Sequence, residues 1–116
     1  MMKAFTVKFC LADSEYMTAL RLVVGAVCSA ADMDVDAIED MKVCVTESCL
    51  ILRDGGFECV TVTLNVAGGF SAEIEGEGGT PKAADSDFSL ALVSALVAEC
   101  DLKKEGGIIT KLTLKL

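Results

Sequence analysis

Few side chains in this sequence are suited to chemistry, and histidine is not among them. Its absence removes every Ser-His-Asp arrangement and leaves a cysteine nucleophile without its usual base. Six cysteines stand at positions 10, 28, 44, 49, 59 and 100. They include no C-x-x-C pair, so no zinc site is expected. Cys10, Cys28, Cys44, Cys49 and Cys59 lie in apolar segments, where a free cysteine acts as a small hydrophobe. All six read as reduced and structural. Carboxylates remain, and Glu47 is the conspicuous one. In V-T-E-S-C-L-I-L-R-D-G-G, Val45 to Gly56, it is the one acid of the helical run before Arg53, which is otherwise nearly all apolar. Four residues on, where a partner would share its face, stands Ile51. Glu47 is either part of a site or an exposed carboxylate paired with Lys42 or Arg53. Ser48, Ser86 and Ser89 carry hydroxyls, but nothing in the sequence picks one out.

The elements that position these residues follow from periodicity. Phe5, Val7 and Phe9 alternate with Thr6 and Lys8, a strand with one wet face. Asp13 or Ser14 can cap a first helix over about 14–32, with Tyr16, Leu20, Val23, Val24, Val27 and Ala31 at helical spacing. Tyr16, the sole tyrosine, reads as a core or staple residue. Asp32-Met33-Asp34 ends that helix and caps a second over about 35–53, whose buried stripe is Ile38, Met41, Val45, Ser48, Cys49 and Leu52. Asp54-Gly55-Gly56 stops it. Two alternating strands, 59–66 and 70–74, flank the hairpin signal Ala67-Gly68-Gly69. A loop rich in Gly, Ala and acid runs from Gly76 to Asp87. A third helix is expected over 88–100, and Gly106-Gly107 turns into a last strand, 108–116.

The order is β-α-α-β-β-α-β in one domain, residues 1–116. Helices too few and too grouped for a doubly wound sheet point to an α+β fold. It is expected as a two-layer sandwich, a mixed, mostly antiparallel sheet with the helices on one face. At 116 residues the chain can bury one core without staples. Its net charge of −8 repels phosphate backbones and anionic lipid, which disfavours nucleic acid and membrane as partners. No apolar run approaches the ~18 residues that cross a bilayer, and the start does not have the pattern of a signal peptide. A cytoplasmic protein is expected, with a protein or small ligand as partner.

Ile38-Glu39-Asp40-Met41-Lys42-Val43-Cys44-Val45-Thr46-Glu47-Ser48-Cys49 resembles a helix of the anti-sigma-factor serine kinases, of the form I-E-D-[LI]-K-[IL]-A-V-[ST]-E-A-[CV]. These bacterial proteins are a branch of the GHKL ATPase superfamily, with the histidine-kinase-like ATPase fold. Ser14-Glu15-Tyr16 with Leu20-Arg21-Leu22 is similar to the family's first helix. Ser89-Leu90-Ala91-Leu92-Val93 and Gly106-Gly107 are similar to the helix after the ATP lid and the turn into the final strand.

The resemblance implies a nucleotide site with three parts, and this sequence departs from each. In the family's E-x-x-x-N the acid activates or orients the attacking group and the Asn holds magnesium. Glu47 fills the first place and Ile51 the second, which offers no oxygen to an ion that demands octahedral oxygen ligands. In the D-x-G that reads adenine, Gly76 replaces the aspartate and Gly78 fills the glycine place, so Gly78 and Gly79 are the remaining nucleotide-binding candidates. Glu75 and Glu77 point to the other face of that strand. Where G-x-G wraps the phosphates at a helix N-terminus, this chain has Asp87-Phe88-Ser89. At an effective dielectric near 20, two like charges ~4 Å apart repel by about 4 kcal/mol, half the binding free energy of a micromolar ligand, about 8 kcal/mol.

The expectation is a degenerate member: an anti-sigma-factor-like regulator that binds a sigma factor or a STAS-type antagonist, with Glu47 a catalytic remnant and no cofactor or metal. The alternative is an active serine kinase using ATP and magnesium through relocated contacts. Arg21 corresponds to a partner-facing arginine of the family, unless it pairs with Glu15 or a nearby acid. The same resemblance implies a homodimer through the first helix and the adjoining sheet edge.

Overall fold

The computed structural model describes residues 3–116. Its elements run β1 (Phe5–Cys10), α1 (Glu15–Ala30), α2 (Val35–Asp54), β2 (Cys59–Asn65), β3 (Ser71–Glu77), α3 (Asp87–Leu96), β4 (Glu99–Glu105) and β5 (Ile108–Lys115). The strands form one sheet in the order β1-β2-β3-β5-β4. Every neighbouring pair is antiparallel. The chain is a small α+β protein.

Two expectations need correction. The sheet is not mixed: the two-helix excursion between β1 and β2 returns the chain in the opposite direction, hairpins join β2 to β3 and β4 to β5, and α3 carries the chain from β3 past the place of β5 to the edge strand β4. The third helix does not reach residue 100. It stops at Leu96, where Val97 is already extended (φ −118°, ψ 157°). An additional strand, β4, follows. Its Cys100 and Leu102 oppose Leu114 and Leu112, while Glu99 and Asp101 oppose Lys115 and Thr113. Gly106 and Gly107, both at positive φ, make the turn into β5.

The helix boundaries have local causes. Asp34 is extended and its carboxylate accepts from Ala37 N at 2.8 Å, satisfying an orphan donor at the start of α2. Ser14 begins α1 without a side-chain cap bond. In the β2–β3 hairpin, Asn65 Oδ1 accepts from Ala67 N at 3.1 Å, and Gly68 and Gly69 supply the left-handed turn.

Register places the core. Val62, Ile74 and Leu112 lie side by side across three strands, as do Leu64, Ala72 and Leu114. All are buried, in one cluster with Met41, Val45, Cys49 and Leu52 of α2 and Leu20 and Val24 of α1. The alternate residues form a wet face laced by Lys8–Glu77 (2.6 Å), Lys111–Glu73 (2.8 Å) and Lys115–Glu99 (3.7 Å). Exposed pairs of this kind hold register more than they add stability. Among the described residues, no helix is long and apolar enough to cross a membrane.

Candidate functional site

Glu47 lies half-buried on α2 where that helix packs against α3. The hydroxyl of Ser89 donates to its Oε2 at 3.1 Å. The cations that the sequence offered as partners are engaged elsewhere, Lys42 with Glu39 at 3.1 Å and Arg53 with Asp54 at 3.4 Å. The carboxylate is therefore held by a neutral donor from the first turn of α3. Thr46 and Ser48, its buried neighbours, bond back to the helix at Lys42 O (2.7 Å) and Cys44 O (2.8 Å), and neither hydroxyl is left for chemistry.

One turn along α2, Ile51 lines a hollow of about 150 Å³ between the end of α2, the start of α3 and the β4–β5 turn. Lys82, Asp87, Leu90 and Lys104 complete the wall around it. Ligand pockets generally enclose about 300–1,000 Å³, so this space suits a few waters or a small ion. The loop across its mouth is tied down by backbone bonds, Thr80 N to Gly56 O (3.1 Å) and Lys82 N to Gly55 O (2.8 Å). At Ile51 the wall offers only carbon, and the charged residues that line the space are Asp87, Lys82 and Lys104.

The glycines beyond β3 have packing roles. A Cβ on Gly76 would stand 2.5 Å from Cγ of Phe57, whose buried ring lies on this end of the strand. Gly78 and Gly79 are in the left-handed region, at φ 68° and 72°. A side chain on Gly79 would collide with the carbonyl of Gly56, and one on Gly56 with the carbonyl of Thr80. The two loops cross at backbone contact, which only glycine permits. Neither Gly78 nor Gly79 lines the hollow at Ile51. Glu77, on the wet face, is bound to Lys8 and to Thr61 (3.3 Å).

On the far side of the molecule, β1 and α1 enclose a second hollow of about 150 Å³, almost wholly apolar, between Val7, Phe9, Tyr16, Ala19, Leu20 and Val23. Tyr16 is not in the core: it is 47% exposed and packs edge-on against Phe9, ring centroids 6.2 Å apart. Arg21 is exposed on α1 and forms no ion pair among the described residues, including the one expected with Glu15. At 3.6 residues per turn it leaves the opposite flank of α1 from Tyr16, Ala19 and Val23, so helix and groove present two separate surfaces.

Burial pushes the thiols of Cys28 and Cys44 up to about 11 and that of Cys49 to about 12, which keeps them inert at neutral pH. Among the described residues no three potential ligands from His, Cys, Asp and Glu gather around one point. Sequence reasoning missed Phe57, Lys82 and Lys104 as parts of this region. Phe57 had a signal, since an aromatic directly after Gly55-Gly56 must pack over the strand that follows. The lysines had none: Lys104 stands on the unexpected strand β4, and Lys82 lies in the loop between β3 and α3, where residue type does not fix direction.

The site is thus a blocked, partly charged depression on a small α+β domain with a five-stranded antiparallel sheet and three helices. No protein-family model matches the chain, and no curated protein matches its sequence.

Proposed function

We propose that this chain is a regulatory protein that acts by binding another protein, on a scaffold like that of the anti-sigma-factor serine kinases, with its nucleotide site filled in. The observation that carries this reading is the depression at Ile51. It is too small for a nucleotide, and Ile51 in its wall offers a metal no oxygen. Phe57 supports it, because its ring covers Gly76, where the resemblance places the adenine contact. Glu47 keeps the position of the family's acid but is occupied by Ser89.

The partner in this reading is a sigma factor or a STAS-type antagonist, captured by competition without phosphoryl transfer. Arg21 and the exposed Leu22 beside it are the contact residues on α1. The apolar β1–α1 groove is the surface for a second copy. A competent site at a hundred times its Kd would add about 2.7 kcal/mol, a melting rise on the order of 10 °C for a domain of this size. The expected result is no resolvable shift with millimolar Mg-ATP or Mg-ADP, and no label on a STAS-domain substrate incubated with labelled ATP. A rise of several degrees, or label lost on Glu47→Ala, would favour the kinase instead.

A further inference from the structure

We propose that Cys10 and Cys59 form an oxidisable dithiol, which a low-molecular-mass disulfide converts to an intramolecular bond tying β1 to β2. The two residues stand directly opposite each other in the antiparallel ladder. The next pair, Leu11 and Glu58, is joined by Leu11 N donating to Glu58 O at 2.8 Å. Alternation along the ladder then makes Cys10–Cys59 a non-hydrogen-bonded pair, whose Cα atoms approach to about 4.5 Å. That separation lies within the range a disulfide spans, about 4.4–6.8 Å. The sulfurs are already 3.4 Å apart, in hydrogen-bond contact. Side-chain rotation alone brings them to bonding distance.

Access separates this pair from the other cysteines. Cys10 is exposed and Cys59 half-buried, both on the wet face of the sheet. Cys28, Cys44 and Cys49 are buried, and Cys100 faces the core opposite Leu114. The order of events follows from exposure. Cys10 is the more exposed of the two and meets the reagent first, so its thiolate is the first nucleophile. It attacks one sulfur of R–S–S–R, forming a mixed disulfide and expelling RS⁻, which takes a proton. Cys59 then loses its proton and attacks the Cys10 sulfur, expelling the second RS⁻. Two protein thiols and one R–S–S–R give one protein disulfide and two RSH, with two electrons passing to the reagent.

The test treats the full chain with excess oxidised glutathione, blocks remaining thiols with N-ethylmaleimide, and maps peptides by mass. The expected product, maleimide adducts on the other cysteines aside, has lost two hydrogens, yields a Cys10–Cys59 linked peptide, and reverts with dithiothreitol. The Cys59→Ser chain is expected to stop at a glutathione adduct on Cys10. A lasting adduct on Cys10 of the wild-type chain, a linkage joining other cysteines such as Cys44 and Cys100, or unchanged mass would each overturn the proposal. The wild-type map is decisive without the variant.

Discussion

Ser89 donates to Glu47 across the α2–α3 contact, 3.1 Å from hydroxyl to carboxylate. An acid that the resemblance assigns to catalysis is thereby joined to the residue standing where a phosphate-binding glycine is expected. The pair holds the first turn of α3 against α2. Ser89→Ala is expected to cost about 1 kcal/mol, the usual net worth of a partly buried hydrogen bond. In a double-mutant cycle with Glu47→Ala, the two changes are expected to couple by a similar amount. Urea denaturation measures both, and strict additivity would show that the contact is idle.

Gly76→Ala places a methyl group against the ring of Phe57. Overpacking of this kind costs about 1–3 kcal/mol. The loss is expected to shrink in a Phe57→Leu background, where the ring is gone. Gly79→Ala is expected to cost more and to find no such relief, since its obstacle is backbone and its φ is positive. Comparison of the denaturation midpoints of the variants decides it.

Ile51→Asn restores the side-chain oxygen that the magnesium reading lacks. Ile51 is nearly fully buried, so the change is expected to destabilise the fold by about 2–4 kcal/mol through lost apolar burial and an unpaired amide. Mg-ATP is still expected to leave the melting temperature of the variant unchanged, because the hollow remains too small for a nucleotide and Phe57 still covers Gly76. A nucleotide-dependent rise in this single variant would show that Ile51 alone closes the site.

The Lys8–Glu77 bridge gives stability a defined dependence on pH. The hydrogen bond from Lys8 holds Glu77 below its ordinary 4.5, and the same bond holds Lys8 above its ordinary 10.5. A carboxyl with a lowered folded pKa contributes above its unfolded value, and the contribution fades as pH falls through the folded one. An amine with a raised folded pKa contributes below its unfolded value and fades as pH rises through the folded one. Lys8→Met is therefore expected to flatten both the acid limb, below about pH 4.5, and the alkaline limb, above about pH 10.5, of a plot of urea midpoint against pH. The change is expected to be small and to diminish with added salt, since both groups are exposed.

Seven of the eight elements were legible from periodicity and turn residues. α2 was clearest, because its cap at Asp34 and its stop at Gly55-Gly56 are both written in residue type. β4 was not, and the reason is physical. Val97-Ala98-Glu99-Cys100 continues the apolar, helix-compatible run of α3, and Glu, Asp and Lys have low strand propensity. Yet Glu99, Asp101 and Lys103 do alternate with Cys100 and Leu102 ahead of a Gly-Gly turn, which is a charged edge strand. For the site, only the resemblance put Ile51 and Asp87 in one region, and both line one hollow. The Ser89 contact and the Phe57 cover depend on how α3 and the post-helix turn pack, and no single residue announces that.

The two margins of the sheet differ in what they allow. β4 ends one side with alternating charges and a slipped register between Lys103 and Lys104. β1 ends the other with Phe5, Val7 and Phe9 on one side of the strand and the apolar groove beneath. Charge and irregularity discourage a further strand from adding to an edge. Copies meeting along β1 would turn only their β4 sides outward, and growth would stop there. The asymmetry disfavours strand addition beyond a pair of copies joined at β1.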